Sequence, residues 1–113
     1  MKRNQEDKKQ VFMYYWRIYA PDGYMPVPEY EFSRVLGRKH RFDWAWVHYR
    51  VGVEVDGGVW LPNGGRHAGD KDREKLNIAA SLRWLVFRFS PQMIEHDPKA
   101  CVDMVMKAIK DSE

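Results

Sequence analysis

Residues 41–56, RFDWAWVHYRVGVEVD, alternate apolar and polar positions with a period of two. Phe42, Trp44 and Trp46 interleave with Arg41, Asp43 and Ala45, and Val51, Val53 and Val55 interleave with Gly52, Glu54 and Asp56. This period is the signature of strands with one covered face. The link Val47-His48-Tyr49-Arg50 has the length of a four-residue hairpin loop. A symmetric hairpin sets Trp46 opposite Val51, Asp43 opposite Glu54, and Arg41 opposite Asp56. Those two acids, Arg41 and Asp56 then point away from the aromatic and valine set. A slip of one residue would separate Asp43 and Glu54 onto opposite faces.

Opposed like charges destabilise a sheet, because directly paired side chains have Cβ atoms roughly 4.5–5.5 Å apart. Two carboxylates that close need a shared proton or a cation between them. A hard divalent ion such as Mg²⁺, bound at about 2.0–2.1 Å by carboxylates, water and phosphate oxygens, suits the geometry. Asp56 is less informative, since a cross-strand ion pair with Arg41 would account for it.

The remaining chain supplies a frame for this hairpin. Residues 5–19 read as a helix with Val11, Tyr15 and Ile18 on one stripe and Phe12 and Tyr19 beside it. Residues 20–28, APDGYMPVP, form a loop, and EYEF at 29–32 is a short strand. Residues 57–70, GGVWLPNGGRHAGD, read as a long glycine-rich loop without the GxxxxGK[ST] phosphate-cradling pattern. Residues 72–83 read as a helix with Leu76, Ala79, Ala80 and Leu82 inward, and WLVFRF at 84–89 as a buried strand with Arg88 on its polar side. Asp97 and Pro98 are the N-cap and first residue of a last helix, whose apolar stripe is Cys101, Met104, Val105, Ala108 and Ile109. The order is helix, three strands, helix, strand, helix. Three consecutive strands make an antiparallel meander, and the crossover helix returns the last strand in parallel. The expectation is an α/β fold with a mixed sheet of about four strands, flanked by helices, in one domain over 1–113.

Composition narrows the function classes. The chain has 113 residues, 44% of them hydrophobic, and no apolar run of membrane-spanning length. The start, MKRNQEDKKQ, lacks a signal-peptide segment, and the single cysteine, Cys101, excludes an internal disulfide framework. Both suit a reducing cytoplasm. Cys101 reads as a buried structural thiol. The net charge of +3 permits nucleic-acid binding without establishing it. The basic residues bracket the acidic hairpin: RVLGRKHR at 34–41 precedes it, and Arg66, Lys71, Arg73 and Lys75 follow. That distribution suits an anionic substrate drawn to a metal-binding centre, and it equally suits solvated loops.

Acids on the second and third strands of an αβββαβ chain carry a resemblance. In EYEF, RFDWAW, VGVEVDGGVW, GRHAGD, DREKLN and WLVFRFSPQM, which run in order from 29 to 93, the sequence resembles the PD-(D/E)XK nuclease superfamily. The likeness is to small phage and bacterial endonuclease-like proteins related to the very-short-patch repair type. It implies a restriction-endonuclease-like core and a metal-dependent DNA endonuclease encoded by a phage or prophage and acting in the bacterial cytoplasm. The cofactor implied is Mg²⁺, with Mn²⁺ as a substitute. Asp43 and Glu54 match the family's metal-binding acids. The family's lysine normally stands two residues after the second acid, where this chain has Asp56. Lys75 matches a lysine migrated to the following helix, and Glu29 matches an upstream glutamate that completes the site. The resemblance thus implies Asp43, Glu54, Lys75 and Glu29 as catalytic residues, and Asp43, Glu54 and Asp56 as metal ligands, Asp56 being either an extra ligand or an ion-pair partner. Arg38, Lys39, Arg41, Arg66, His67 and Lys71 are the expected DNA contacts, and a homodimer is compatible with this reading.

Other residues divide between function and packing. His67 is either a phosphate contact or an ordinary loop histidine. His40, His48 and His96 lack the HExxH arrangement and are assigned no metal. Trp60 either stacks on a base or fills core under the loop, while Trp44 and Trp46 are core. Two alternatives to the endonuclease stand. One is a non-catalytic nucleic-acid-binding module on the same fold, which the displaced lysine keeps open. The other is a junction-specific or mismatch-specific nuclease.

Overall fold

The computed structural model describes residues 5–56 and 65–113, with side chains described over 7–56 and 69–113. The elements are α1 (Gln5–Tyr19), β1 (Val27–Glu31), β2 (Arg41–Trp46), β3 (Val51–Val55), α2 (Gly65–Ser81), β4 (Leu85–Phe89), α3 (Pro91–His96) and α4 (Pro98–Asp111). The four strands form one mixed sheet in the order β1-β2-β3-β4. β1, β2 and β3 are an antiparallel meander, and β4 joins β3 in parallel after the α2 crossover. This is the expected α/β arrangement, helices flanking a four-stranded mixed sheet. Among the described residues no helix is long and apolar enough to cross a membrane.

The hairpin has the expected register, with Trp46 opposite Val51 and Trp44 opposite Val53. Its link is a 3₁₀ turn over Val47–Tyr49, closed by Arg50 in the left-handed region at φ 54°. One sheet face carries Trp44, Trp46, Val51, Val53, Val55 and Phe89 and is covered by α1, α3 and α4. On the opposite face a smaller cluster of Phe32, Phe42, Ala45 and Trp84 packs with Ala79 of α2. Phe42 therefore leaves the company of Trp44 and Trp46, and strict alternation breaks at Asp43. Its ring lies against Gly52, where an added Cβ would sit 2.6 Å from it, so only glycine leaves room.

Several boundaries and faces differ from the sequence reading. α2 begins at Gly65, inside the span read as a loop to residue 70. The helix accommodates Gly65 and Gly69, because helix propensity is a weak prior that packing overrides. Here Ile78, Ala79 and Leu82 pack inward, and the Asp70–Arg73 pair at 2.7 Å lies along the early turns. Leu76 and Ala80 face outward instead. On α1 the buried stripe is Phe12, Met13 and Trp16, and Ile18 is 54% exposed. The run VFMYYWRIY is apolar on all sides, so periodicity alone does not choose its inner face. α4 begins as expected, with Asp97 accepting from the Ala100 amide at 3.1 Å, but Met104 is exposed while Val102 and Met106 are buried. α3, which the sequence reading missed, uses the same device: Ser90 accepts from the Met93 amide at 3.1 Å and Pro91 opens the helix. Cys101 is a buried free thiol.

Candidate functional site

Hairpin pairing ends just before the two acids. Beyond Trp44 and Val53 the Val55 amide donates to Asp43 Oδ2 at 2.8 Å, so a side chain takes an inter-strand donor. Asp43 is 16% exposed and Glu54 11%. On the other side of Asp43, the β1–β2 pairs Pro28–Trp44 and Tyr30–Phe42 place Glu29 directly across from it. Glu29 holds φ 51°, in the left-handed region. A non-glycine residue there costs on the order of 1–3 kcal/mol and persists only where its surroundings fix it. Three carboxylates, one from each strand of the meander, thus gather at one end of the sheet.

Each is met by a protein cation. Lys75 of α2 forms an ion pair with Glu54 Oε1. Lys9 of α1 lies 2.6 Å from Glu29 Oε1 and 3.5 Å from Asp43 Oδ1. Arg88, opposite Glu54 in the β3–β4 register, approaches Glu54 Oε2 at 3.8 Å, Asp56 at 3.0 Å and Asp72 at 3.1 Å. Its Nε is buried without a hydrogen-bond acceptor. Asp56 therefore does not pair with Arg41 as the extended register suggested. The β2–β3 ladder has ended, the Asp56 amide is already committed to Phe89 at 3.1 Å, and the carboxylate turns to β4. Arg41 instead lies 3.8 Å from Glu29.

Burial governs the charges. It pushes the Lys75 ammonium down to about 8, although Asp43 and Glu29 pull the other way and Arg88 and Arg41 add to the depression. The same cause holds the Asp43 carboxyl above the usual carboxylate range, against the Val55 amide and Lys9. Lys75 Nζ also lies 5.8 Å from the centre of the Phe42 ring, so the ring displaced toward α2 becomes part of the lysine's setting.

The structure thus brings Glu29, Asp43, Glu54 and Lys75 into one cluster and adds Lys9 and Arg88. Lys9 was missed because the α1 stripe was misplaced; one and two turns before Phe12, Met13 and Trp16, it lies on the buried face. Arg88 was legible as the lone charge in LVFRF, but its acidic partners were not. Among the expected DNA contacts, Arg38 is tied to Glu74 of α2, Lys39 and Lys71 are exposed, and Arg41 is 56% exposed. The side chains of Arg66 and His67, and Trp60 altogether, lie outside the described residues.

Among the described residues no three His, Cys, Asp or Glu side chains converge as a ready cage. Asp56 lies 3.0 Å from Arg88, and its side chain is 44% exposed. Asp43 and Glu54 fit a divalent ion in chemistry: they are shielded carboxylates on adjoining strands, and a carboxylate oxygen that accepts one hydrogen bond retains acceptor capacity. A hard ion that completes its shell with water and phosphate oxygens needs only one or two such groups. Compared with protein-family models, curated proteins and solved structures, the chain shows no match.

Proposed function

We propose that the protein is a metal-dependent phosphodiester hydrolase acting on DNA, with Asp43, Glu54 and Lys75 as its working centre. One observation carries this reading: Lys75 reaches the Glu54 carboxylate from α2, supplying the cation that position 56 lacks. A Mg²⁺ ion held by Asp43 and Glu54 would neutralise phosphate charge and activate a water. Lys75 then moves from Glu54 toward the scissile phosphate and stabilises the charge that develops there. Asp43 is fixed by the Val55 amide, which sets the direction of its free oxygen. Arg88 keeps Asp56 away from the centre and backs Glu54. DNA as the substrate rests on the family likeness and on the basic side chains Lys39, Arg41 and Lys71, exposed to an anionic strand.

A second reading has its own support. Every carboxylate at the centre already has a protein cation, as it would in a nucleic-acid-binding module that no longer needs a metal. Alanine at Asp43 or Glu54 separates the two. The hydrolase loses cleavage while DNA binding persists or tightens. Unchanged cleavage in both variants would remove these acids from the chemistry.

A further inference from the structure

We propose that Lys9 is a built-in cation that takes the place of a second divalent ion between Glu29 and Asp43, so that the site holds one metal ion and Glu29 serves the lysine. This rests on the hydrolase reading above and specifies its metal content.

Glu29 and Asp43 face the same break in the β1–β2 ladder, between the pairs Pro28–Trp44 and Tyr30–Phe42, and two carboxylates brought together there repel. The left-handed backbone at Glu29 lies at this position and no other in β1. The Lys9 ammonium sits between the two carboxylates, 2.6 Å from Glu29 Oε1 and 3.5 Å from Asp43 Oδ1. The Lys9 and Asp43 side chains are 17% and 16% exposed, so the contact is shielded on the Asp43 side, while Glu29 at 40% reaches solvent. The Lys9 backbone is fixed too, because the Trp44 indole donates to the Lys9 carbonyl at 3.3 Å. An ammonium with three donors at that point supplies the positive charge two opposed carboxylates need. It also fills the space on that side of Asp43. On the Glu54 side of Asp43 the cation is Lys75, which in the hydrolase reading moves toward phosphate and so leaves that side to a divalent ion.

Mn²⁺ binding to the protein alone, without DNA, tests this by electron paramagnetic resonance and calorimetry. The wild type should bind one Mn²⁺ per chain. Glu29→Gln should keep that ion with affinity within about threefold, whereas loss of a true ligand or its support costs roughly tenfold or more. Lys9→Met should take up a second ion, and Lys9→Arg should stay at one. Two ions in the wild type, a loss of about tenfold or more in Glu29→Gln, or a single ion in folded Lys9→Met would each overturn the inference and leave the hydrolase reading standing. No Mn²⁺ bound by the wild type would overturn both. Circular dichroism checks the fold of Lys9→Met; if it does not fold, the Glu29→Gln affinity decides.

Discussion

Lys75 of α2 and Glu54 of β3 share one shielded ion pair, joining the crossover helix to the strand that carries the second acid. Breaking a buried pair from one side leaves an uncompensated charge, at a cost of about 3–5 kcal/mol when burial is complete. Asp43 differs, because its burial works against its own ionised form.

The two acids should therefore respond to neutralisation with opposite signs. Asp43→Asn keeps an oxygen for the Val55 amide and removes a poorly solvated charge, so stability at pH 7 should rise by about 0.5–2 kcal/mol. Its folded pKa lies above the unfolded value, so the penalty appears as pH rises from the ordinary carboxylate range through the folded value. The gain should shrink as pH falls below that window. Glu54→Gln should lose about 2–3 kcal/mol, since Lys75 loses its partner, while Arg88 keeps Asp56 and Asp72. Urea melts at pH 7 and pH 4 check both signs. A stabilised Glu54→Gln would contradict the pairing.

Lys75 should titrate far below a surface lysine. With a folded value near 8 against an ordinary 10.5, the folded chain holds fewer protons in that interval, so this group's contribution to stability improves as pH rises from 8 to 10.5. Carbon-13 methyl-lysine NMR should place one resonance near pH 8. If Lys75 acts as a cation, cleavage should fall above that pH in the wild type. In Lys75→Arg, whose guanidinium stays charged, the fall should move to higher pH. A Lys75 midpoint near 10.5 would remove the desolvated lysine from the account.

Gly52→Ala tests how the core supports the site. The new methyl meets the Phe42 ring on the face packed by α2, a close approach that forces ring or strand to shift. Overpacking of this kind costs typically 1–3 kcal/mol. Because the ring also lies beside Lys75, cleavage should drop along with stability. A variant as stable and active as the wild type would show that this contact is slack.

The sequence disclosed the hairpin and its register at Trp44–Val53 and Trp46–Val51, because alternation and turn length are local signals; the ladder ends before Asp43 and Glu54, which the register alone would have paired. It disclosed Lys75 only through family likeness, since an isolated lysine on a helix has no local mark. Lys9 stayed hidden behind the uniformly apolar face of α1. Arg88 was visible, but its partners Asp56 and Asp72 depend on where β3 and β4 meet, which is a tertiary fact. Asp56 illustrates the same limit: the hairpin register sends it to Arg41, and the end of the β2–β3 ladder sends it to Arg88.

The most direct test of the central claim is cleavage of supercoiled plasmid, single-stranded DNA and branched DNA with Mg²⁺, Mn²⁺ or EDTA, with Asp43→Ala beside the wild type. The account predicts metal-dependent cutting by the wild type that EDTA stops and the variant lacks, and the preferred substrate then separates nicking from junction resolution. Tight DNA binding with no cutting of any substrate in either metal would contradict it and leave the binding module.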